Sequence, residues 1–350
     1  MQIIIVGCGK VGRALAAQLS GEDNNVTVVD TNGDVVKTVA NYYDVMGVTG
    51  NGASYSVLAE ADIEHTDVLI AVTHNDEVNL LCCVVARKAA NCHTIARVRN
   101  PVYSEERAFL RKELGLSMII NPEYAAAQEI ARLLRFPSAI EIDSFSKGRI
   151  EMLRFRVPAA SMLDGLALRE LPQKLPMDVL ICAAERGEEV LIPDGNFVIR
   201  SGDLLSMIAI PGNAAAFFKK VGISTNQVKN TMIIGGGEIT YYLSKLLLNM
   251  GIRVKIIEKR RERCEELSDL LPKATIICGD GSDRELLREE HLEQMDSLVA
   301  GTDMDEENII LSLYARDRVR AKVMTKLNHL DFNDVIHSLD LDSLIYPKNI

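Results

Sequence analysis

Gln2-Ile3-Ile4-Ile5-Val6-Gly7-Cys8-Gly9-Lys10-Val11-Gly12 stands at the head of the chain. Its opening apolar, β-branched run reads as a buried strand, and glycines at the spacing G-x-G-x-x-G turn that strand into a helix. The first glycine permits a tight turn, the second lets a phosphate reach the backbone, and the third lets helix and strand touch. The helix beginning at Lys10 offers free N–H groups and the positive end of its dipole to that phosphate. Asp30 closes the next apolar run, 23 residues after Gly7. A carboxylate there accepts the hydroxyls of an adenosine ribose and repels a 2′-phosphate, so strand, loop, helix, strand and acid in this order point to NAD or NADH. The alternative is a dinucleotide fold kept only for structure.

The same order occurs a second time. Thr231 to Ile234 leads into Gly235-Gly236-Gly237-Glu238-Ile239-Thr240, and Glu258 ends the following run; Gly7 to Gly235 and Asp30 to Glu258 are both steps of 228 residues. Gly50-Asn51-Gly52-Ala53-Ser54 answers to Gly279-Asp280-Gly281-Ser282-Asp283, and Thr73 with Asp76, Glu77 and Asn79 answers to Thr302 with Asp305, Glu306 and Asn308, both at 229. Even the edge run Ser117 to Pro122 returns as Ser343 to Pro347. Because the first copy continues into a helix and a small domain, we expect these 350 residues to be part of a longer protein. The second loop departs from the first at two positions. Thr240 replaces the third glycine and is expected to hold the helix farther from its strand. Glu238 replaces Lys10 and opposes a polyphosphate. The second pocket is therefore expected to bind a nucleotide more weakly, or a different one, or none.

A chain of 350 residues suits two or three domains. From 1 to 135, strands at Gln2 to Val6, Asn25 to Val29, Val45 to Val48, Val68 to Val72, Thr94 to Val98 and Met118 to Ile120 alternate with helical patterns at Lys10 to Leu19, Asp76 to Ala90 and Pro122 to Leu134. From 136 to 222, six prolines punctuate short strands, with a hairpin turn at Arg186-Gly187-Glu188-Glu189 and a further strand at Phe197 to Ile199. From 228 to 350 the first pattern returns. The predicted class is α/β: two Rossmann-like, doubly wound parallel sheets separated by a small α+β domain.

Composition narrows the function. A net charge of −10 argues against a phosphate-backbone footprint, hence against nucleic acid, and against a broad anionic-lipid surface. Lys259-Arg260-Arg261 with Arg263 is interleaved with Glu262, Glu265 and Glu266 and reads as a solvated, self-paired helix face. The seven cysteines, Cys8, Cys82, Cys83, Cys92, Cys182, Cys264 and Cys278, form no CxxC pair and fit reduced thiols better than disulfides or a structural metal site; Cys8 and Cys278 read as packing residues. The longest uncharged run, Leu204 to Phe218, is broken by Pro211 and falls short of the ~20 residues of a spanning helix. A strand feeding straight into the glycine loop leaves no room for a removable signal segment, so a cytoplasmic location is expected.

Asn51, Gly52, Thr73 and His74 follow the third and fourth strands, at the carboxyl edge where ligands of open α/β sheets lie. Either they flank adenine and the second ribose or nicotinamide, or the glycines make a turn and Thr73 caps the helix near Asp76. Arg97 and Arg99 alternate on the fifth strand, so only one reaches a phosphate, and either suits an intersubunit ion pair instead. No histidine lies between His93 and His291, so the middle domain lacks the commonest acid/base residue of a dehydrogenase. An NAD-dependent oxidoreductase using His74 or a lysine stays open beside a nucleotide or redox sensor.

Gly7 to Gly12, Asp30, Thr49 to Gly52, Ala71 to Thr73 with Asp76, Glu77 and Asn79, and Ala96-Arg97-Val98-Arg99-Asn100-Pro101 together resemble the RCK, or KTN, N-terminal domain. Leu163-Asp164-Gly165 and Ile192 to Asp203 resemble the small RCK C-terminal domain. The order RCK, C-domain, RCK resembles the TrkA-type regulatory subunits of bacterial Trk potassium uptake systems. The resemblance implies no catalytic residues and no metal. It implies NAD or NADH, and ATP or ADP, bound at Gly7, Cys8, Gly9, Lys10, Val11, Gly12, Asp30, Asn51, Gly52, Thr73, His74, Arg97 and Val98. In the second copy it implies binding at Gly235, Gly237, Glu238, Ile239, Glu258, Asp280 and Thr302. It further implies self-association into a ring of RCK domains, as a homotetramer or a dimer of dimers, and docking beneath a TrkH-like membrane potassium channel subunit.

Overall fold

The computed structural model describes residues 1–136, 139–146, 149–159, 161–187, 189–223, 228–319, 322–328, 339, 341 and 343–347. Two compact units divide the chain, residues 1–124 and 125–347.

In the first unit β1 (Gln2–Val6), α1 (Lys10–Ser20), β2 (Asn25–Asp30), α2 (Gly33–Tyr43), β3 (Met46–Thr49), α3 (Tyr55–Glu60), β4 (Val68–Ala71), α4 (Asp76–Ala89), β5 (His93–Arg97), α5 (Pro101–Glu105), α6 (Arg107–Glu113) and β6 (Met118–Ile120) follow in turn. The strands form one sheet in the order β3-β2-β1-β4-β5-β6, parallel at every pairing. The sequence order reverses between β1 and β4, which opens a crevice beyond their carboxyl ends. Strand β1 shows why both faces are apolar. Ile4 and Val6 join the core that includes Cys82, Cys83 and Ala86 of α4, while Ile3 and Ile5 join the core of Ala16 from α1 with Val36 and Val39 from α2. Helices thus cover both faces, the condition under which parallel strands read as continuous hydrophobic runs. Asn32 caps α2 and Asn75 caps α4 through side-chain oxygens.

The second unit is entered along α7 (Pro122–Arg135). Its antiparallel part comprises β7 (Ala139–Phe145), β8 (Ile150–Arg156), α8 (Leu171–Lys174), β9 (Val179–Arg186), β10 (Glu189–Leu191), β11 (Leu204–Ala209) and α9 (Pro211–Lys220), with strand order β10-β9-β11-β8-β7. Phe217 and Phe218 of α9 seat edge-on against Phe155 of β8, with ring centroids 6.1 and 5.0 Å apart. Gly187 turns the β9–β10 hairpin at φ +65, and Glu188 lies outside the described residues. The expected strand Phe197 to Ile199 is not one. Its backbone bonds to the loop at Gly165, Leu166 and Leu168 and makes one isolated bridge, Ala167 to Val198, among the described residues.

The same unit holds a second parallel sheet. It consists of β12 (Asn230–Ile234), α10 (Glu238–Asn249), β13 (Arg253–Glu258), α11 (Arg261–Leu270), β14 (Thr275–Cys278), α12 (Arg284–Glu289), β15 (Ser297–Ala300), α13 (Asp305–Arg316), β16 (Lys322–Lys326) and β17 (Ser343–Ile345), ordered β14-β13-β12-β15-β16-β17. This reproduces the first sheet strand for strand. The buried Lys322 of β16 donates to the Ala139 carbonyl of β7 at 2.7 Å, tying the parallel sheet to the antiparallel one. Among the described residues no helix is long and apolar enough to cross a membrane.

Candidate functional site

Each parallel sheet carries a cleft at the carboxyl edge, of about 370 Å³ in the first unit and about 270 Å³ in the second. Gly7 (φ +105) and Gly235 (φ +97) hold the turn in a backbone region closed to other residues. A Cβ on Gly7 would meet the Thr73 backbone nitrogen at 2.8 Å, so the loops after β1 and β4 abut. Gly9 is different. A Cβ there meets no protein atom within 4 Å, and the same is true of Gly237. Both glycines precede a helix whose first N–H groups have no side-chain cap, so each leaves an open cradle of backbone donors.

Gly7, Gly9, Asp30, Asn51, Gly52, Thr73 and His74 line the first cleft. Cys8, Lys10, Val11, Gly12, Arg97 and Val98 lie outside its wall. The Cys8 backbone N–H donates to Asp30 Oδ2 at 2.7 Å, while its buried thiol, pushed up to about 11 by burial and then by Asp30, packs into the core. Val11 packs in the same core. Asp30 also takes the Asn32 N–H on Oδ1 at 2.9 Å. A carboxylate has about four acceptor positions, so two are left for ligand hydroxyls.

Arg99 lies beyond β5, not on it, and both arginines find partners within the chain. Arg97 pairs with Glu123; Arg99 pairs with Asp76 at 3.5 Å and donates to the His74 carbonyl. Neither arginine lines the first cleft, and Val98 is fully buried core. Thr73 is not a helix cap either. Asn75 takes that position, and Thr73 donates its N–H and hydroxyl to Asn79 Oδ1 at 2.8 and 2.7 Å. Gly50 and Gly52 owe their identity to packing more than to a turn, since added Cβ atoms would meet Val57 at 2.6 Å and Val6 at 2.3 Å.

In the second cleft Gly235, Gly237, Glu258, Asp280 and Thr302 line the wall, whereas Glu238 and Ile239 do not. Glu238 does not stand as an added acid against a polyphosphate. Arg263 reaches it at 3.3 Å while holding the Gly236 carbonyl at 2.7 Å and Glu266 at 2.7 Å. In the first cleft the corresponding carbonyl, that of Cys8, is held by Arg13 from α1 at 3.0 Å. Thr240 places its Cβ where one on Gly12 would stand only 1.8 Å from the Gly7 oxygen, and its hydroxyl donates to the Gly235 carbonyl at 2.6 Å. The helix start is therefore opened, as the substitution predicts.

Glu258 is nearly filled by its own surroundings. Its carboxylate takes the Gly236 N–H at 2.6 Å, the Arg260 N–H at 2.9 Å and Arg260 Nε at 3.0 Å. Burial raises its pKa, but the Arg260 and Gly236 N–H groups and the Arg260 guanidinium outweigh burial and hold it below the ordinary carboxylate value. Asp280 is likewise lowered, by the Ser282 hydroxyl and then its N–H. Lys259 and Arg260 line this cleft, so only the later part of the basic stretch is the self-paired face: Arg261 with Glu265, and Arg263 with Glu266. Among the described residues no group of three potential metal ligands converges.

The TrkA-N domain model matches residues 3–122 and again 231–347, and the TrkA-C domain model matches residues 152–222. The chain belongs to the TrkA family. It is 33% identical over 350 residues to a Trk system potassium uptake protein TrkA homolog of Archaeoglobus fulgidus, covering 100% of this chain and 79% of that protein. It is 32% identical over 352 residues to the Trk system potassium uptake protein TrkA of Vibrio alginolyticus, covering 99% of this chain and 77% of that one. The structure of the GsuK channel bound to NAD shares the fold at a TM-score of 0.72 and 19% identity, over 99% of this chain and 61% of that chain.

Two positioning residues of this TrkA-family chain escaped the sequence reading. Asn79, fully buried, also donates Nδ2 to the Arg97 carbonyl at 2.9 Å, clamping the loop after β4 to β5; Asn308 repeats this with Thr302 and the Lys326 carbonyl at 3.0 Å. Asp76 accepts the Arg99 and Asn100 N–H groups at 2.7 Å each, as Asp305 accepts that of Asn328 at 2.9 Å. The signal was present in the repeated Asp76, Glu77 and Asn79 pattern. Its meaning needed the neighbouring strand.

Proposed function

We propose that this TrkA-family chain is a nucleotide-sensing regulatory subunit that biases the gate of a membrane potassium channel subunit of the TrkH type. We further propose that it is cytoplasmic, lies on the membrane through that partner, and assembles as a ring of RCK domains, a homotetramer or dimer of dimers. The observation that carries this reading is the pair of clefts, each with an open glycine cradle and an acid ending the second strand, in one family member. We take the domains as 1–135, 136–222 and 228–350, of which residues 224–227 and 348–350 lie outside the described structure.

The first cleft suits NAD or NADH. Its loop N–H groups at Gly9 and the start of α1 would take the pyrophosphate, Asp30 the adenosine ribose, Asn51 and Gly52 the adenine side, and Thr73 and His74 the second ribose or nicotinamide. The NAD-bound channel of like fold supports this reading. The second cleft suits a different nucleotide, ADP or ATP. Glu258 has most of its acceptor positions taken, while Lys259 and Arg260 add positive charge. A ligand moves a gate only by binding one arrangement of domains better than another, so two unlike clefts can carry two opposing signals.

Calorimetry of NAD, NADH, ADP and ATP on the full chain and on Asp30→Ala and Glu258→Ala tests the sites. Loss of NADH binding in Asp30→Ala alone is expected, and unchanged binding in both variants refutes the assignment. Co-purification with a potassium channel subunit tests the partner. Steady consumption of NADH with a small carbonyl substrate would favour the oxidoreductase reading instead.

A further inference from the structure

Beside Glu258 two thiols converge. Cys264, in the first turns of α11, donates its S–H to the Glu258 carbonyl at 3.1 Å. Glu258 is also the in-register partner of Cys278 at the end of β14, across a strand spacing of about 4.8 Å. The two thiols thus lie beside one backbone position, near enough for Cys278 to act electrostatically on Cys264. Cys264 is buried and Cys278 is exposed, which corrects the reading of Cys278 as a packing residue; both are free. The first copy carries the buried Val36 and the exposed Thr49 at these places, Thr49 being the in-register partner of Asp30. The fold itself therefore demands sulfur at neither position.

We propose that Cys264 and Cys278 form a peroxide-reactive dithiol that closes to a disulfide joining α11 to β14. The pair divides the chemistry by exposure. Cys278, open to solvent, attacks the peroxide: an S–O bond forms, the O–O bond breaks, and the departing hydroxide takes up the thiol proton as water. Cys264 then attacks the sulfenic sulfur: the S–S bond forms, the S–O bond breaks, and the second hydroxide leaves as water with the proton of Cys264. Two thiols are oxidised by two electrons and one hydrogen peroxide is reduced to two waters. Burial, and then the Cys278 thiol itself, push Cys264 up to about 11. It is thus a poor first nucleophile and serves as the resolving thiol, whose rate rises with pH as its thiolate fraction grows. Closing the bond removes the S–H from the Glu258 carbonyl and fixes the start of α11 to the sheet edge.

The test is disulfide mapping of the full chain, treated with hydrogen peroxide at low protein concentration, alkylated, digested and weighed. The expected result is a Cys264–Cys278 peptide pair, lighter by two hydrogens and rejoined to its thiols by reductant. In Cys264→Ser that pair is lost and Cys278 runs on to sulfinic and sulfonic acid, while in Cys278→Ser peroxide leaves Cys264 reduced. The proposal is overturned if wild-type Cys278 is over-oxidised with Cys264 still a thiol. It is equally overturned if Cys278 pairs between molecules, or if neither thiol changes. The wild-type result decides the matter even if a variant fails to fold.

Discussion

Replacing Gly9 with alanine separates the demands of the fold from those of a ligand. The residue sits at φ −72 and ψ −168, extended backbone that alanine adopts without strain. An added Cβ meets nothing within 4 Å, so no contact of the folded chain is disturbed. Alanine also has less freedom than glycine in the unfolded chain, which favours the variant by about 0.4–1 kcal/mol at a compatible site. Stability should hold or rise slightly. Binding should not. The methyl group fills the space through which a pyrophosphate reaches the loop N–H groups, and losing even one charge-assisted hydrogen bond of about 1.5–3 kcal/mol weakens NADH roughly tenfold to a hundredfold. Urea melts paired with NADH titration by calorimetry read both quantities on the same protein. Gly237→Ala, at φ −69 and ψ −177 with the same open space, repeats the test in the second cleft with ADP. An unchanged NADH affinity in Gly9→Ala would refute the assignment of the first cleft. A stability loss above about 1 kcal/mol would refute the backbone argument.

Gly12→Ala should behave in the opposite way. Its Cβ would stand 1.8 Å from the Gly7 carbonyl oxygen, so the usual helix gain of alanine over glycine, about 0.5–1 kcal/mol, is outweighed by an overpacking cost of about 1–3 kcal/mol, read as a lower urea midpoint. A midpoint equal to wild type would show that α1 shifts freely. Glu258→Gln addresses acid stability. Because the folded carboxyl is held below its ordinary value of 4.5, it contributes stability that is present above that value and is lost as pH falls through the lower folded value. Urea melts from pH 7 to pH 3 should show a gap between wild type and variant that narrows with acid, and a constant gap would contradict the sign.

Much of the candidate site was legible because its signals are local. Gly7, Gly9 and Asp30 belong to one βαβ stretch in which each residue type answers to a turn, an approach or a strand end. Partners were not legible. Arg97 and Arg99 looked available on a strand, yet Arg99 lies past its end and meets Asp76, 23 residues away, across the β4–β5 pairing. Glu238 looked like an unopposed acid, and its counter-charge, Arg263, comes from the next helix of the fold, 25 residues on. The strand expected at Phe197 to Ile199 failed for the same reason, since a strand exists only where another lies beside it.

The sequence alone determined the doubled architecture. Periodicity, glycine placement and the near-constant 228- to 229-residue offset are written in consecutive residues, and the physics they report acts over a few residues at a time. Only the tertiary structure decided which charges are neutralised, which glycines face open space and which are pressed against side chains. It also decided that Cys264 and Cys278 meet while their counterparts Val36 and Thr49 carry no sulfur. Parallel strands set side by side residues that the chain keeps tens of positions apart, and electrostatics, packing and thiol chemistry all act through that distance in space.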